Sequence, residues 1–299
     1  MVILGSGKRG KAKRYMMFTL FVAPALLVRI ATSIYPVIHT FQLSLMRYNL
    51  MQQVRDFIGF GNFIAITQNP TFRSIIGYTL VFVVTSTIFQ LIFGMGIANL
   101  LNAKFIGRRI VRTINLIPWV IPMIVSAYAF RWLLAGDYGL ISDWVVRLTG
   151  HRPQLLLNAT SARISLIAVN IWRNMPFMGL VILAGLQSIP EELYESAKMD
   201  GASWFRRFLH ITMPASASTI VTLGLFNIIW QMSDIDLVLG VTQGGPGSAT
   251  TVLAFRIYQH GMLWFDWGIA SALSVMLVLL VTVVSLIGLS IFKKYQFTL

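Results

Sequence analysis

The chain alternates long apolar runs with shorter polar ones, on the length scale of membrane spans rather than of a soluble core. Six runs reach the roughly 20 residues that a helix needs to cross a bilayer. They are Tyr15–Val37, Ser74–Asn99, Ile110–Leu134, Ile164–Leu186, Ala215–Leu239 and Ile269–Phe292. The pattern therefore predicts an all-α polytopic membrane protein with six transmembrane helices. Between the spans lie a polar segment at 38–73, a basic turn at 100–109, a loop at 135–163, an amphipathic segment at 187–214 and a Gly-rich loop at 240–268. Ala23-Pro24-Ala25 has the small residues of a signal-peptide cleavage site. The apolar run continues beyond it, so an uncleaved first helix is the better reading.

Composition excludes the alternatives. Of the 299 residues, 56% are apolar and only 11% are charged, and the mean hydropathy is +0.73. A soluble globule carries about twice that share of charge, and a disordered chain lacks the hydrophobicity. Lys+Arg outnumber Asp+Glu by 24 to 10. In a soluble protein that excess suggests nucleic acid; here its distribution explains it without any nucleic-acid partner. Fourteen basic residues, including all seven lysines, fall in the tail at 8–14, in 104–112, in 198–207 and at 293–294. The positive-inside rule makes this side cytoplasmic. Both termini are then inside, as an even number of spans requires. The organisation that follows is a basic tail at 1–14, a first span with an extracytoplasmic segment at 15–73, a five-span core at 74–292 and a cytoplasmic tail at 293–299. Cysteine is absent, which removes disulfides and thiol chemistry, and four scattered histidines lack metal-ligand spacing.

Pro118 and Pro122 interrupt the third span and Pro176 the fourth. Each is equally consistent with a simple kink or with a helix lining a path. Polar residues inside spans say more, because they are expensive in lipid and face a bundle interior or a water-filled cavity. The fourth span carries Asn170, Trp172, Arg173 and Asn174; the fifth carries Asn227, Trp230, Gln231, Ser233, Asp234 and Asp236. Amides, hydroxyls and Trp suit a neutral hydroxylated ligand. The plainer reading is hydrogen-bonded glue between helices. Asn170, Asn174, Asn227, Trp230, Gln231, Ser233 and Asp234 are the candidate substrate path, with Asp234 and Asp236 near the outer helix end. No Asp–Glu–His chain suggests a proton relay.

The segment 187–214 is the most distinctive. Ser188 is a candidate N-cap, Pro190 suits a first helical turn, and Glu191 and Glu192 favour a helix N-terminus. Gly201 breaks the helix; Trp204, Phe205, Phe208 and Ile211 form a second amphipathic piece, and Pro214 ends it. The second piece could lie on lipid. Glu191, Glu192 and Glu195 could not, because anionic lipid repels acids. An acidic helix on a basic face reads as a docking peg for a protein.

Glu195-Ser-Ala, three residues, Gly201, nine residues and Ile211-Thr-Met-Pro214 resemble the EAA loop of bacterial ABC importer permeases, with Ser196 and Met213 as mild departures. The run 171–203 and Thr242-Gln-Gly-Gly-Pro246 resemble the carbohydrate-importer branch, related to maltose and glycerol-phosphate permeases. The resemblance covers at least 60–299. It implies a multi-pass subunit of the bacterial cytoplasmic (inner) membrane. The EAA loop would form a coupling helix between the fourth and fifth spans, docking on a dimeric cytoplasmic ATPase through Glu191, Glu192, Glu195, Ala197, Asp200, Gly201, Ala202 and Phe205. An extracytoplasmic sugar-binding protein would meet Gly244, Gly245 and Pro246. A second, similar permease would complete the path, as six helices alone make a small pore wall. The chain would bind no cofactor; ATP and Mg would sit on the partner ATPase. Gly5-Ser-Gly7-Lys8 is no P-loop, because Val2 and Arg9 replace the required Gly and Ser/Thr. An intramembrane hydrolase would need paired acids or a His–Ser pair within the spans, which the sequence lacks. A scaffold would explain the docking loop but not the polar fifth span.

Overall fold

The computed structural model describes residues 8–296, with side chains from 15 to 290. Its regular secondary structure is helical except for one small hairpin. The first helix is α1 (Lys8–Arg29), which continues through a π turn at Ile30–Ile34 into α2 (Tyr35–Ser44). Pro36 falls in the first turn of α2. The preceding π turn is a wider coil next to a residue that cannot donate a backbone hydrogen bond. The span thus extends to Ser44, beyond the expected Val37. The rest of 38–73 is not simply polar linker. It holds β1 (Met46–Asn49) and β2 (Val54–Phe57), antiparallel with Met46 opposite Phe57, and then α3 (Gly61–Gln68).

The long helix α4 (Pro70–Asn102) starts on a cap: the Asn69 side chain accepts from Thr71 N–H, with Pro70 at the first helical position. The third span is two helices, α5 (Arg108–Val120) and α6 (Met123–Leu133), bent by 85° at Ile121-Pro122. Pro118 stays inside α5, so only Pro122 breaks the helix. The loop that follows contains α7 (Leu140–Thr149). α8 (Ala159–Leu186) is capped by Asn158, which accepts from Thr160 and Ser161 N–H, and runs through Pro176 unbroken.

α9 (Glu191–Met199) is followed by α10 (Trp204–Arg207), a π turn at Phe208–Thr212 and α11 (Met213–Met232). Here the structure departs from expectation. Pro214 does not end the segment; the π turn admits it, and Trp204–Met232 forms one apolar helix. That helix also stops at Met232 rather than at Leu239. The Asp234 side chain accepts from Asp236 N–H (2.9 Å) and starts a separate short helix, α12 (Asp236–Val241). The Gly-rich stretch beyond holds α13 (Leu253–Tyr258) and a π turn at Gln259–Leu263 before α14 (Trp267–Gln296). Among the described residues five helical stretches are long and apolar enough to cross a membrane, and six if the bent α5–α6 pair counts as one span.

The centre of the bundle is the α4–α8 pair. An ideal Cβ on Gly94 would lie 2.8 Å from Met178 Cβ and 3.1 Å from Gly179 N; one on Gly179 would lie 2.6 Å from Ile97 Cγ2. Small residues at a membrane-helix crossing let backbones approach this closely. Around the crossing Met95, Ala98, Leu101, Ile182, Leu186 and Leu223 form one buried cluster. A second, of Phe82, Leu166, Val238, Val241 and Phe255, joins α4 and α8 to α12 and α13.

Candidate functional site

A cavity of about 870 Å³ opens between α5, α8 and α11. That lies within the size range of small-molecule sites. Trp119 and Phe177 stack on one wall, 4.7 Å between ring centroids, and Phe226 and Trp230 lie on another, 5.8 Å apart. Arg173, Asn174, Asn227, Ser233, Asp234 and Asp236 supply the polar lining. Arg173 faces the wall: it donates to Asn174 Oδ1 (3.1 Å) and to the Ile121 carbonyl (3.2 Å), the carbonyl at the α5–α6 break.

Behind this lining the structure gathers residues that a reading of polarity alone put in one group. Asn170, Asn227 and Gln231 are buried together with Thr87 and Gln90 of α4. Asn227 donates to Thr87 Oγ1 (3.0 Å) and Gln90 Oε1 (2.8 Å). Gln231 donates to Thr87 Oγ1 (3.0 Å) and Gln90 Oε1 (3.3 Å) and accepts from Asn170. Gln90 in turn donates to the Asn170 carbonyl (3.0 Å). Three helices are thus locked through one closed amide network, as interhelical polar contacts in membranes require. Asn170 and Gln231 do not line the cavity, Asn227 touches it from the network, and Asn174, Trp230, Ser233 and Asp234 line it. Reading the spans for polarity missed Thr87, Gln90, Trp119, Phe177 and Phe226. The amide of Gln90, next to the Thr85-Ser86-Thr87 run in the middle of the second span, was the available signal; the aromatics give none, since core residues look the same.

At the C-terminal end of α8 stands the acidic helix. α9 buries no residue. It starts at Glu191 with Pro190 at the cap position, whereas the Ser188 hydroxyl donates back to the Gly185 carbonyl (2.7 Å) and does not cap it. Its end is a Schellman motif: Ala202 N–H donates to Ala197 O (2.9 Å) and Gly201 N–H to Lys198 O (3.1 Å), with Gly201 at φ +75°. Nothing lies within 4 Å of a Cβ built on Gly201. Backbone conformation, not crowding, demands glycine there. The base of the helix is held at Tyr194, whose hydroxyl lies 3.0 Å from Thr212 Oγ1, and at Glu191, which pairs with Lys104 at 2.8 Å. That hydrogen bond and the Glu191 charge push the Lys104 ammonium above its ordinary range, and Lys104 holds the Glu191 carboxyl below its own. Glu192, Glu195, Asp200 and Phe205 are exposed, and Ala197 and Ala202 half-buried.

At the other end of α8, Arg163 donates to the Ala249 carbonyl (2.7 Å) and ties down the Gly-rich loop. Thr250 Oγ1 donates to Gly245 O (2.6 Å) and Thr251 Oγ1 to Gly244 O (3.2 Å), so the loop is internally bonded. Gly244 is buried beside Thr251 and Phe255, Gly245 and Pro246 are half-buried, and Gln243 and Gly247 are exposed. Among the described residues no three His, Asp or Glu side chains converge as a metal site.

A multi-pass helical bundle with an internal polar-aromatic cavity, an exposed acidic helix at one end and an ordered loop at the other defines a membrane transport subunit. A family model described as the binding-protein-dependent transport system inner membrane component matches residues 90–295, and the chain belongs to that family. It is a multi-pass protein of the inner membrane. It is 34% identical over 276 residues to the trehalose/maltose transport system permease protein MalF of Thermococcus litoralis, covering 91% of this chain and 92% of that protein. It is 33% identical over 280 residues to the sulfoquinovosyl glycerol transport system permease protein SmoG of Agrobacterium fabrum, covering 93% of this chain and 91% of that one. Its fold matches, at TM-score 0.82 and 23% identity over 95% of this chain and 97% of the other, a chain of a bacterial ABC transporter that imports the acidic polysaccharide alginate.

Proposed function

We propose that this chain is the membrane-spanning subunit of an ATP-driven, binding-protein-dependent sugar importer. Both termini lie in the cytoplasm and α9 is its coupling helix. The observation that carries the reading is α9 itself. It is exposed, acidic, braced at its base and ended by a left-handed glycine, and the ordered Gly-rich loop sits at the opposite end of α8. A docking element and a receiving element on the two sides of one span suit a subunit that passes a signal across the membrane.

In this reading Glu191, Glu192, Glu195, Ala197, Asp200, Gly201, Ala202 and Phe205 form the contact with a dimeric cytoplasmic ATPase. That partner binds ATP and Mg and does the hydrolysis; this chain is not itself an enzyme. A second permease closes the open side of the cavity. An extracytoplasmic sugar-binding protein meets the loop at Gly244, Gly245 and Pro246, where Gln243 and Gly247 offer the exposed edge. The core at 74–292 carries transport and 1–14 is a cytoplasmic tail. Asn174, Trp230, Ser233 and Asp234 contact the sugar in passage, and Asn170, Asn227 and Gln231 hold the wall behind them. ATP-driven movement of α9 rocks the bundle between inward and outward states.

The test is co-purification. The tagged chain, solubilised in mild detergent, should bring down a second permease and a P-loop ATPase, and Gly201→Leu should lose the ATPase while keeping the permease. Recovery of the chain alone across several mild detergents would refute the reading. Orientation is checked separately, because the natural chain has no cysteine. In intact cells an impermeant maleimide should label Gly247→Cys and not Lys198→Cys.

A further inference from the structure

The relatives include a trehalose/maltose permease and a subunit of an importer of an acidic polysaccharide, so likeness alone does not say whether the sugar is neutral or charged. The lining that this chain supplies points to one of the two. We propose that the cavity accepts uncharged polyhydroxy sugars and rejects uronates, sugar phosphates and sugar sulfonates. The inference rests on the importer reading and narrows it.

Three charged side chains line the cavity: Arg173, Asp234 and Asp236. Carboxyl groups outnumber the guanidinium by two to one. Two of the guanidinium's five N–H groups are drawn to the wall, to Asn174 Oδ1 and the Ile121 carbonyl, its Nε–H is buried without a partner, and no pair closer than 4.0 Å joins it to either aspartate. Its wall bonds are structural, because they satisfy the carbonyl at the α5–α6 break. The aspartates are less committed. Asp234 accepts from Asp236 N–H through one oxygen, and each carboxylate has acceptor capacity left. Sugar hydroxyls are donors that carboxylates accept well, and an anionic substituent brings no donor and a like charge. Trp230, 64% exposed, and the Trp119–Phe177 stack offer flat apolar faces to the C–H face of a pyranose. Aromatic faces with surplus acceptors form a site for a neutral polyol. A unit like charge several ångströms away in such a half-solvated site weakens binding by about tenfold to a hundredfold.

The experiment uses the assembled transporter in nanodiscs, without the binding protein, so that the membrane cavity alone selects. Equilibrium binding is measured for neutral disaccharides (maltose, trehalose, sucrose) and for their uronate and phosphate counterparts. The neutral probes should bind at least tenfold more tightly than the anionic ones. Asp234→Asn with Asp236→Asn, which keeps the acceptor that starts α12, should reduce that ratio at least threefold. Arg173→Gln, which loosens the α5–α6 break for both classes alike, should leave the neutral-to-anionic ratio unchanged. Anions binding as tightly as neutral sugars, a ratio unmoved by the double variant, or a ratio that rises in Arg173→Gln would each overturn the proposal. So would binding of neither class. The importer reading fails by a different result, an assembly that contains no ATPase.

Discussion

The close crossing of α4 and α8 makes a prediction that separates packing from helix propensity. Gly77 and Gly94 lie in the same helix, 17 residues apart in number. A Cβ on Gly77 would meet nothing within 4 Å, whereas one on Gly94 would sit 2.8 Å from Met178 Cβ and 3.1 and 3.2 Å from backbone atoms of the facing helix. Carbon atoms pack at about 3.5–4.0 Å, so the helices must part by several tenths of an ångström at least. The opposing atoms are Cβ and backbone, which no rotamer change can move aside. Overpacking of this kind costs about 1–3 kcal/mol. Glycine-to-alanine in a helix otherwise favours the folded state by up to about 1 kcal/mol. Gly94→Ala should therefore lower the apparent melting temperature of the purified protein in mild detergent, and Gly77→Ala should leave it unchanged or raise it. Gly179→Ala offers a check on the geometry. Its Cβ would meet Ile97 Cγ2 at 2.6 Å and Ile97 Cβ at 2.9 Å, so Ile97→Ala should rescue it in part, and Met178→Ala should not rescue Gly94→Ala. Equal melting temperatures for Gly77→Ala and Gly94→Ala would refute the crossing.

Three further outcomes follow from the site. At Gly201 the barrier is a left-handed backbone in open space, so Ala and Leu should impair ATPase retention to the same degree, at about 1–2 kcal/mol of turn stability, and Asn should impair it less; Leu failing where Ala is normal would show a steric cause instead. Gln90→Leu removes three interhelical hydrogen bonds, which at about 0.6 kcal/mol each in membranes amounts to roughly 2 kcal/mol; a detergent melting curve reads it, and an unchanged midpoint counts against the network. Lys104→Ala should leave the melting temperature unchanged, because both partners of the Lys104–Glu191 pair are exposed. The lowered Glu191 contributes above its unfolded-state range and is lost as pH falls through the folded one, and the raised Lys104 contributes below its own range and is lost as pH rises. The pair is therefore intact across about pH 5–9, and stability there should show no step that Lys104→Ala abolishes.

The spans were legible because lipid enforces one rule, about 20 apolar residues per crossing, and all six runs appear as helices or as a helix pair. What was not legible was how each helix ends or bends. Pro122 and Pro214 have the same local chemistry, yet one marks an 85° break and the other follows a π turn inside a continuous helix. The difference lies in the neighbours: Arg173 from α8 satisfies the carbonyl at the first break, and no reading of the third span alone contains that residue. Likewise Leu239 ends an apolar run, but the helix stops at Met232, because the Asp234 side chain begins a new one. Gly94 and Gly179 carry no local signal; only the pair, 85 positions apart, has meaning.

The polar residues of α8 and α11 divide by helical face, and the division has a mechanical consequence. Asn227 and Gln231 are four apart and turn the same way, onto Gln90 and Thr87. Trp230 lies round the helix from them, Ser233 and Asp234 lie just beyond its end, and all three line the cavity. Asn174 joins the two sets, because it lines the cavity and donates to Asn170 one turn earlier (2.6 Å to Oδ1). The wall formed by α4, α8 and α11 is thus held by a closed set of side-chain bonds and by glycine contacts that tolerate no separation. The wall formed by α5 and α6 packs on α8 and α12 through Trp119 against Phe177 and Ala127 against Gly240, and at its break the Ile121 carbonyl is met by Arg173 reaching from the fixed wall. A rocking subunit keeps its cavity chemistry intact when the residues that contact the ligand ride on the rigid wall. Here the amide, hydroxyl and carboxyl groups of the lining all lie on or just beyond α8 and α11, and the lining from α5 and α6 (Trp119, Val120 and Met123) consists of apolar side chains beside the break. Polarity along the chain located the two groups together; only the 100° advance per residue, set against a known neighbour, separates the residues that hold the wall from those that meet the ligand.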